Sequence, residues 1–293
     1  MASSASDPLY AARNAFHLGA PQTCISEAAQ LAGLSSDQAR IDRDVLSHRA
    51  YIEIGSCEVV LNEVAADASH PSLKAVRMLA LVAKDAKGGD PTVSPTYVEE
   101  ALSWMNDPSV CRNETAMVAA ATVLVGANDP ESALKACFLG GGQENMAMAV
   151  QISLSMNRVD VAEGYAGKMS EVDDDAPLTQ LAQAWVGARK GGKCLQDAYY
   201  TIQELGDKFA WTAKLHNSLA CMQMLMGRWE DAEAELLQAL EKNPRDVDTL
   251  RNLSVVSLHQ GKGKESARYA GMGGGDGRMD EASRLFDEMA ARM

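Results

Sequence analysis

The residues that could do chemistry are few and poorly grouped. GMGGGDGR (271–278) has the composition of a phosphate-cradling loop, in which glycines let backbone N–H groups close on an anion. No strand pattern precedes it and no Lys-Ser or Lys-Thr closes it, so it reads as a flexible linker. Asp173, Asp174 and Asp175 could attract a cation, but they directly precede Ala176-Pro177, where a helix is expected to begin. Carboxylates there offset the helix dipole, and no second ligand set accompanies them. GGGQEN (140–145) likewise reads as a turn between helices.

Metal and nucleophile chemistry fare no better. His17, His48, His70, His216 and His259 are widely spaced and form no H-x-x-x-H pair. Cys24, Cys57, Cys111, Cys137, Cys194 and Cys221 contain no C-x-x-C, and most lie among apolar helix positions, which fits buried reduced thiols. There is no G-x-S-x-G elbow and no Cys/His pair in a recognisable context. The sequence therefore offers no catalytic residue, metal site or cofactor site, and it points away from an enzyme.

Charge narrows the partners. With 27 Lys and Arg against 40 Asp and Glu, the net charge of −13 repels phosphate backbones and anionic lipid surfaces. Nucleic acid and bare membrane are both disfavoured, while a basic protein segment would be drawn to such a surface. MASSASDPLYAARNAF has no basic patch followed by an apolar stretch, and no 18 uninterrupted apolar residues occur anywhere, so a cytosolic location is expected. The Asn113-Glu114-Thr115 sequon is then one in form only.

The elements that would position any site are helices. Composition is 46% hydrophobic but only 5% aromatic, and it is rich in Ala, Leu and Met, as expected of helices packed closely on one another. In GRWEDAEAELLQALEKNPRD (227–246), Trp229, Ala232, Leu236 and Ala239 share a helix face behind Gly227, and Pro244 forbids continuation. Ala232 and Ala239 would let a neighbouring helix approach closely. With the preceding segment from Ala213 to Met226, this makes a helix-turn-helix unit of 34 residues.

Taking Ala232 as a ruler, the same register recurs at Cys24, Val60, Ala101, Ala133, Ala162, Ala198 and Ser266, at intervals of 36, 41, 32, 29, 36, 34 and 34 residues. A period near 34 is the signature of tetratricopeptide-type repeats. The expected fold is all-α, a right-handed tetratricopeptide-like solenoid of antiparallel helix pairs. The array is expected over 1–266, interrupted by a Gly/Pro-rich loop at 85–97. A Gly-rich linker over 267–278 and a short C-terminal helix over 279–293 would follow.

In such an array the first helix of each pair lines a concave groove. Counting twelve residues from each unit's start gives Phe16, Ile52, Val125, Leu154, Lys190, Met224 and Leu258, all apolar but one. The ninth position adds Cys221 and Val255. These residues read equally as a greasy partner-binding wall or as packing within each pair. Where related domains grip a peptide carboxylate with cations, this chain has Asn217, Cys221 and Asp248, so carboxylate capture is not expected.

Two long stretches, DAPLTQLAQAWVGARKGGKCLQDAYYTIQELGDKF and GRWEDAEAELLQALEKNPRDVDTLRNLSVVSLHQGK, together with DPLYAARNAFHLGAPQTCISEA, resemble the ε subunit family of coatomer over roughly residues 7 to 264. The resemblance implies a non-enzymatic subunit of the COPI vesicle coat. It implies a groove that encircles an extended segment of the α-coatomer subunit's C-terminal region, action in Golgi-to-ER and intra-Golgi transport, and attachment to Golgi membrane only through the coat. The matching residues Trp185, Ala198, Tyr199, Gly227, Trp229, Ala232, Ala239 and Pro244 are repeat-packing residues. The resemblance ends after Lys264, where the glycine run and MDEASRLFDEM stand instead. A soluble adaptor or co-chaperone that binds peptides transiently is the alternative the same fold allows.

Overall fold

The computed structural model describes residues 7–31, 33–34, 36–87 and 93–273. The short helix expected over 279–293 and the end of the expected linker lie outside these residues. Among the described residues there are sixteen α-helices and no strand. They run α1 Tyr10–His17, α2 Pro21–Gln30, α3 Asp37–Ile54, α4 Cys57–Glu63, α5 Pro71–Lys87, α6 Pro95–Asn106, α7 Glu114–Gly126 and α8 Pro130–Gly140. The second eight are α9 Gly142–Ser155, α10 Val159–Val172, α11 Pro177–Lys190, α12 Gly192–Lys208, α13 Ala213–Leu225, α14 Trp229–Lys242, α15 Val247–His259 and α16 Gly263–Met272. They fall into two compact units, 1–190 and 191–293.

Helix starts follow from the residues that precede them. Ser36, Asn113, Asp129, Thr212 and Asp246 each accept a hydrogen bond from a backbone N–H in the first turn, capping α3, α7, α8, α13 and α15. In six of the eight pairs among the described residues the chain reverses between first and second helices by one repeated device. A residue with positive φ stands at Gly19, Gly55, Asn128, Asn157, Gly227 and Gly261. The next N–H bonds back to the carbonyl five residues earlier, as in Arg158 to Ser153 at 2.8 Å and Arg228 to Gln223 at 2.9 Å. This is the Schellman closure, which requires a left-handed residue and so selects Gly or Asn.

The ruler residues all fall in second helices. Cys24, Val60, Ala133, Ala162, Ala232 and Ser266 are each the fourth residue of their helix, and Ala101 and Ala198 are the seventh of helices that begin a turn earlier. All but Ser266 are buried; Cys24, Val60, Ala101, Ala133, Ala162 and Ala232 are fully so. The physical reason is close approach, since a small side chain at the crossing point lets two helices of a pair meet.

Apolar clusters then follow the chain order. In the first unit, one cluster joins α1 to α3 through Ala12, Cys24, Ala28, Leu46 and Ala50. A second joins α3 to α5 through Val45, Val60, Val64 and Val76. A third runs from α5 to α9 around Met117, Val123 and Leu124, and a fourth joins α9 to α11 through Val150, Met169 and Ala182, with Trp185 packed against it. In the second unit, Ala220, Ala232, Leu236, Leu250, Leu253, Val256 and Tyr269 form one core, edged by Met224, Trp229 and Leu240. Ala239 is fully buried and Ala198 nearly so, and exposed Pro244 follows the end of α14.

Two expected boundaries shift. Helix α5 continues through Lys87 and α6 begins at Pro95, so the loop expected over 85–97 is shorter at both ends. Pro95 is the first residue of α6, where a missing N–H costs nothing. Helix α16 runs to Met272, into the stretch expected as linker from 267, because Tyr269 is buried against the Leu250 and Leu253 core and holds the extra turn. Replacing Ala232 with tryptophan should overpack the α13–α14 crossing. The expected cost is at least ~1 to 3 kcal/mol, read as a lower thermal midpoint by circular dichroism; an unchanged midpoint would refute the register.

Candidate functional site

The residues predicted for a groove lie in the last turns of their first helices, except Cys221 and Val255, which lie about one turn earlier. Phe16, Val125, Leu154, Met224 and Leu258 are each the second-to-last residue of α1, α7, α9, α13 and α15. Four of the set pack beside the core: Phe16, Ile52, Leu154 and Met224 are half-buried, each against the apolar cluster of its own neighbours. Val125 and Leu258 are 42% and 60% exposed, and Leu225, which sequence reasoning left out, is 59% exposed beside Met224.

In the second unit α13 and α15 put a polar patch ahead of these apolar ends. Asn252 donates from Nδ2 to Asn217 Oδ1 at 2.9 Å and to Cys221 Sγ at 3.4 Å. Burial pushes the Cys221 thiol above its ordinary pKa, so the group stays neutral there. Half-buried Val255 continues the stripe on α15. Trp229 stacks face to face on His259, with ring centroids 3.9 Å apart. These contacts rigidify the turn that carries Leu258.

The first unit holds a charged constellation that the sequence did not announce. Glu144, in the first turn of α9, accepts from Arg49 Nη1 of α3 at 2.7 Å and pairs with His17 Nε2 of α1 at 2.9 Å. All three side chains are largely buried, at 18%, 14% and 9% exposure. The Arg49 guanidinium lies 4.6 Å from the centre of the Phe16 ring. Burial by itself would raise the Glu144 pKa, but Arg49 and His17 together outweigh it and hold the carboxyl well below the usual range.

A second carboxylate completes the node. Helix α9 starts on glycines and has no capping side chain of its own. Glu114 Oε1, at the start of α7, accepts from the Glu144 backbone N–H at 3.1 Å instead. Gly142 takes a positive φ of 74°, a conformation that favours glycine, and a Cβ there would lie 2.2 Å from that oxygen and displace the Glu114 carboxylate. Burial and the neighbouring Glu144 push the Glu114 carboxyl up, an effect moderated because the side chain borders water. Asn113 caps α7 and bonds Ser72 of α5. A cavity of about 530 Å³ opens among these groups, lined by Arg13, Arg49, Arg112, Asp42, Glu114 and Glu144 among others.

Sequence reasoning read 140–145 as a turn, whereas Gln143 to Asn145 are helical and carry the constellation. His17 and Arg49 lie 127 and 95 residues from Glu144, a separation that no local pattern reveals. Near Asp173 to Asp175, Asp174 accepts from Gln183 and Asp173 caps the turn at Asp175. No group of three metal-ligating side chains occurs among the described residues. No described helix is long and apolar enough to cross a membrane.

Successive helix pairs near 34 residues long, six of them reversed by Schellman turns, define a tetratricopeptide-type repeat protein. The likeness to solved structures is of this class. A tetratricopeptide repeat protein from Parabacteroides merdae aligns with a TM-score of 0.54 over 92% of this chain and 93% of that one, at 12% identity. A chain in the APC/C hetero-tetramer Cut9-Hcn1 aligns with 0.58 over 89% of this chain and 50% of its own length, also at 12%.

Sequence comparison goes further. The family described as coatomer epsilon subunit matches residues 5–270. Coatomer subunit epsilon-1 of Arabidopsis thaliana is 38% identical, with 90% of this chain and 87% of the relative aligned. Coatomer subunit epsilon-2 of Oryza sativa subsp. japonica is 39% identical over 92% and 89%, and coatomer subunit epsilon of Caenorhabditis elegans 33% over 86% and 83%. The chain belongs to the coatomer epsilon subunit family. It is a structural component of a vesicle coat, associated with other coatomer subunits, and not an enzyme.

The two glutamates of the node give opposite pH responses. Glu144, depressed in the folded state, contributes stability that is fully present above the ordinary glutamate value of 4.5 and is lost as pH falls below it. Glu114, raised, contributes stability at low pH that is lost as pH rises through its folded value. Melting midpoints of the wild type should therefore fall more steeply below pH 4.5 than those of Glu144→Gln. Parallel curves would show that the Glu144 pair does not contribute.

Proposed function

We propose that the chain holds an extended segment from the C-terminal region of the α-coatomer subunit against the faces of its first helices. In doing so it serves Golgi-to-ER retrograde and intra-Golgi vesicle transport. The observation that carries the reading is the pair of apolar helix ends in the second unit. Leu225 and Leu258 stand 59% and 60% exposed at the ends of neighbouring first helices. A large apolar side chain left in water on two successive repeats is surface that a partner would cover.

Phe16, Ile52, Val125 and Leu154 extend the same reading to the first unit, and Cys221, Met224 and Val255 complete it in the second. The net charge of −13 adds attraction for a basic stretch in the partner. Membrane attachment on this reading is peripheral, at Golgi membrane and coated vesicles, through the other coat subunits.

Leu258 is the sharper probe, because Met224 also packs against the core and its replacement would disturb the fold. Co-expression of the tagged chain with the α-coatomer C-terminal region should give a stoichiometric complex that survives high salt. Leu258→Glu should weaken it about tenfold or more with helicity unchanged. Failure of that region to co-purify with the wild type would overturn the assignment of partner, and an unaltered affinity of Leu258→Glu would overturn the assignment of surface.

A further inference from the structure

The apolar clusters of the first unit join helices in chain order, α1 to α3, α3 to α5, α5 to α9 and α9 to α11. The contact that brings α1 and α3 against the start of α9 is of another kind. It includes the ion pairs of His17 and Arg49 on one side with Glu144 on the other, and it borders the cavity of about 530 Å³. Helix α1 also reaches α11. Each of those two helices carries a buried polar atom without a hydrogen-bond partner among the described residues, Asn14 Nδ2 and Thr179 Oγ1.

We propose that this seam is a latch, with α1–α3 forming a strap that swings away from α9 when the Glu144 contacts break. An apolar seam would be expensive to part, because its surface would enter water. A charged seam over a cavity large enough for water is different. Its ions regain hydration on opening, and the solvation recovered offsets much of the attraction lost.

The four apolar clusters join helices in chain order and need not part in such a movement, which separates α1 from α11 as well as from α9; it is a rearrangement of packed helices and not an unfolding. In the closed state Arg49 is held over Phe16, one of the first-helix residues, so the latch sets how far that side chain is available. The inference concerns the chain alone and does not depend on the identity of its partner.

The test is a distance distribution across the seam in the full chain. Spin labels are placed at Ala11→Cys in α1 and Gln151→Cys in α9, both exposed, with Cys111, Cys194 and Cys221 replaced by serine. The labelled wild type should show one main separation. Adding Glu144→Gln, which leaves Arg49 without its counter-charge, should create a second population at longer separation while helicity is retained. Arg49→Gln, which keeps the His17 contact, should shift a smaller fraction. An unchanged distribution in both variants would overturn the latch, and so would loss of helicity in both, since the seam would then belong to the global core.

Discussion

Close approach of paired helices is the constraint on which the rest of this structure depends. At one point in each second helix the chain places a small or short side chain, and the first helix of the pair comes to rest against it. The backbones then lie near enough for large residues on either side, such as Leu236 and Leu253, to be fully buried. The connection left between the helices is short, so the reversal must be tight. A tight reversal needs a left-handed residue, which is why Gly or Asn recurs at the turns.

Where apolar packing follows the chain, charge acts across it. A protein with 13 net negative charges keeps a buried ion cluster in its first unit, and the magnitudes explain how. Burial is the largest single effect on Glu144 and opposes ionisation, yet Arg49 and His17 together outweigh it. Glu114 has no cation within pairing distance among the described residues, and it is tolerated because it faces the partial positive charge at the start of α9. The two carboxylates thus do different jobs a few ångströms apart, one joining distant helices and the other capping a helix that begins on glycine.

On the proposed function, these features divide the labour between shape and contact. The repeat packing residues, Trp229 stacked on His259 among them, fix where the ends of first helices stand. The exposed apolar residues at those ends, Leu225 and Leu258, are then presented on a rigid base. Rigidity matters because a surface that need not be ordered on binding loses less entropy to its partner.

The sequence by itself determined the repeat: the register through Ala232, the helix pairs, the turns and the near-34-residue period, and through longer stretches the family. Those features are local, since a helix face, a cap and a left-handed turn each depend on residues within a few positions. The end of α16 at Met272 was less legible, because tertiary burial of Tyr269 decides whether the last turn is held. Tertiary structure alone decided the meeting of Glu144 with His17 and Arg49. That contact depends on the summed angles between many successive helices, and no short-range pattern carries the sum.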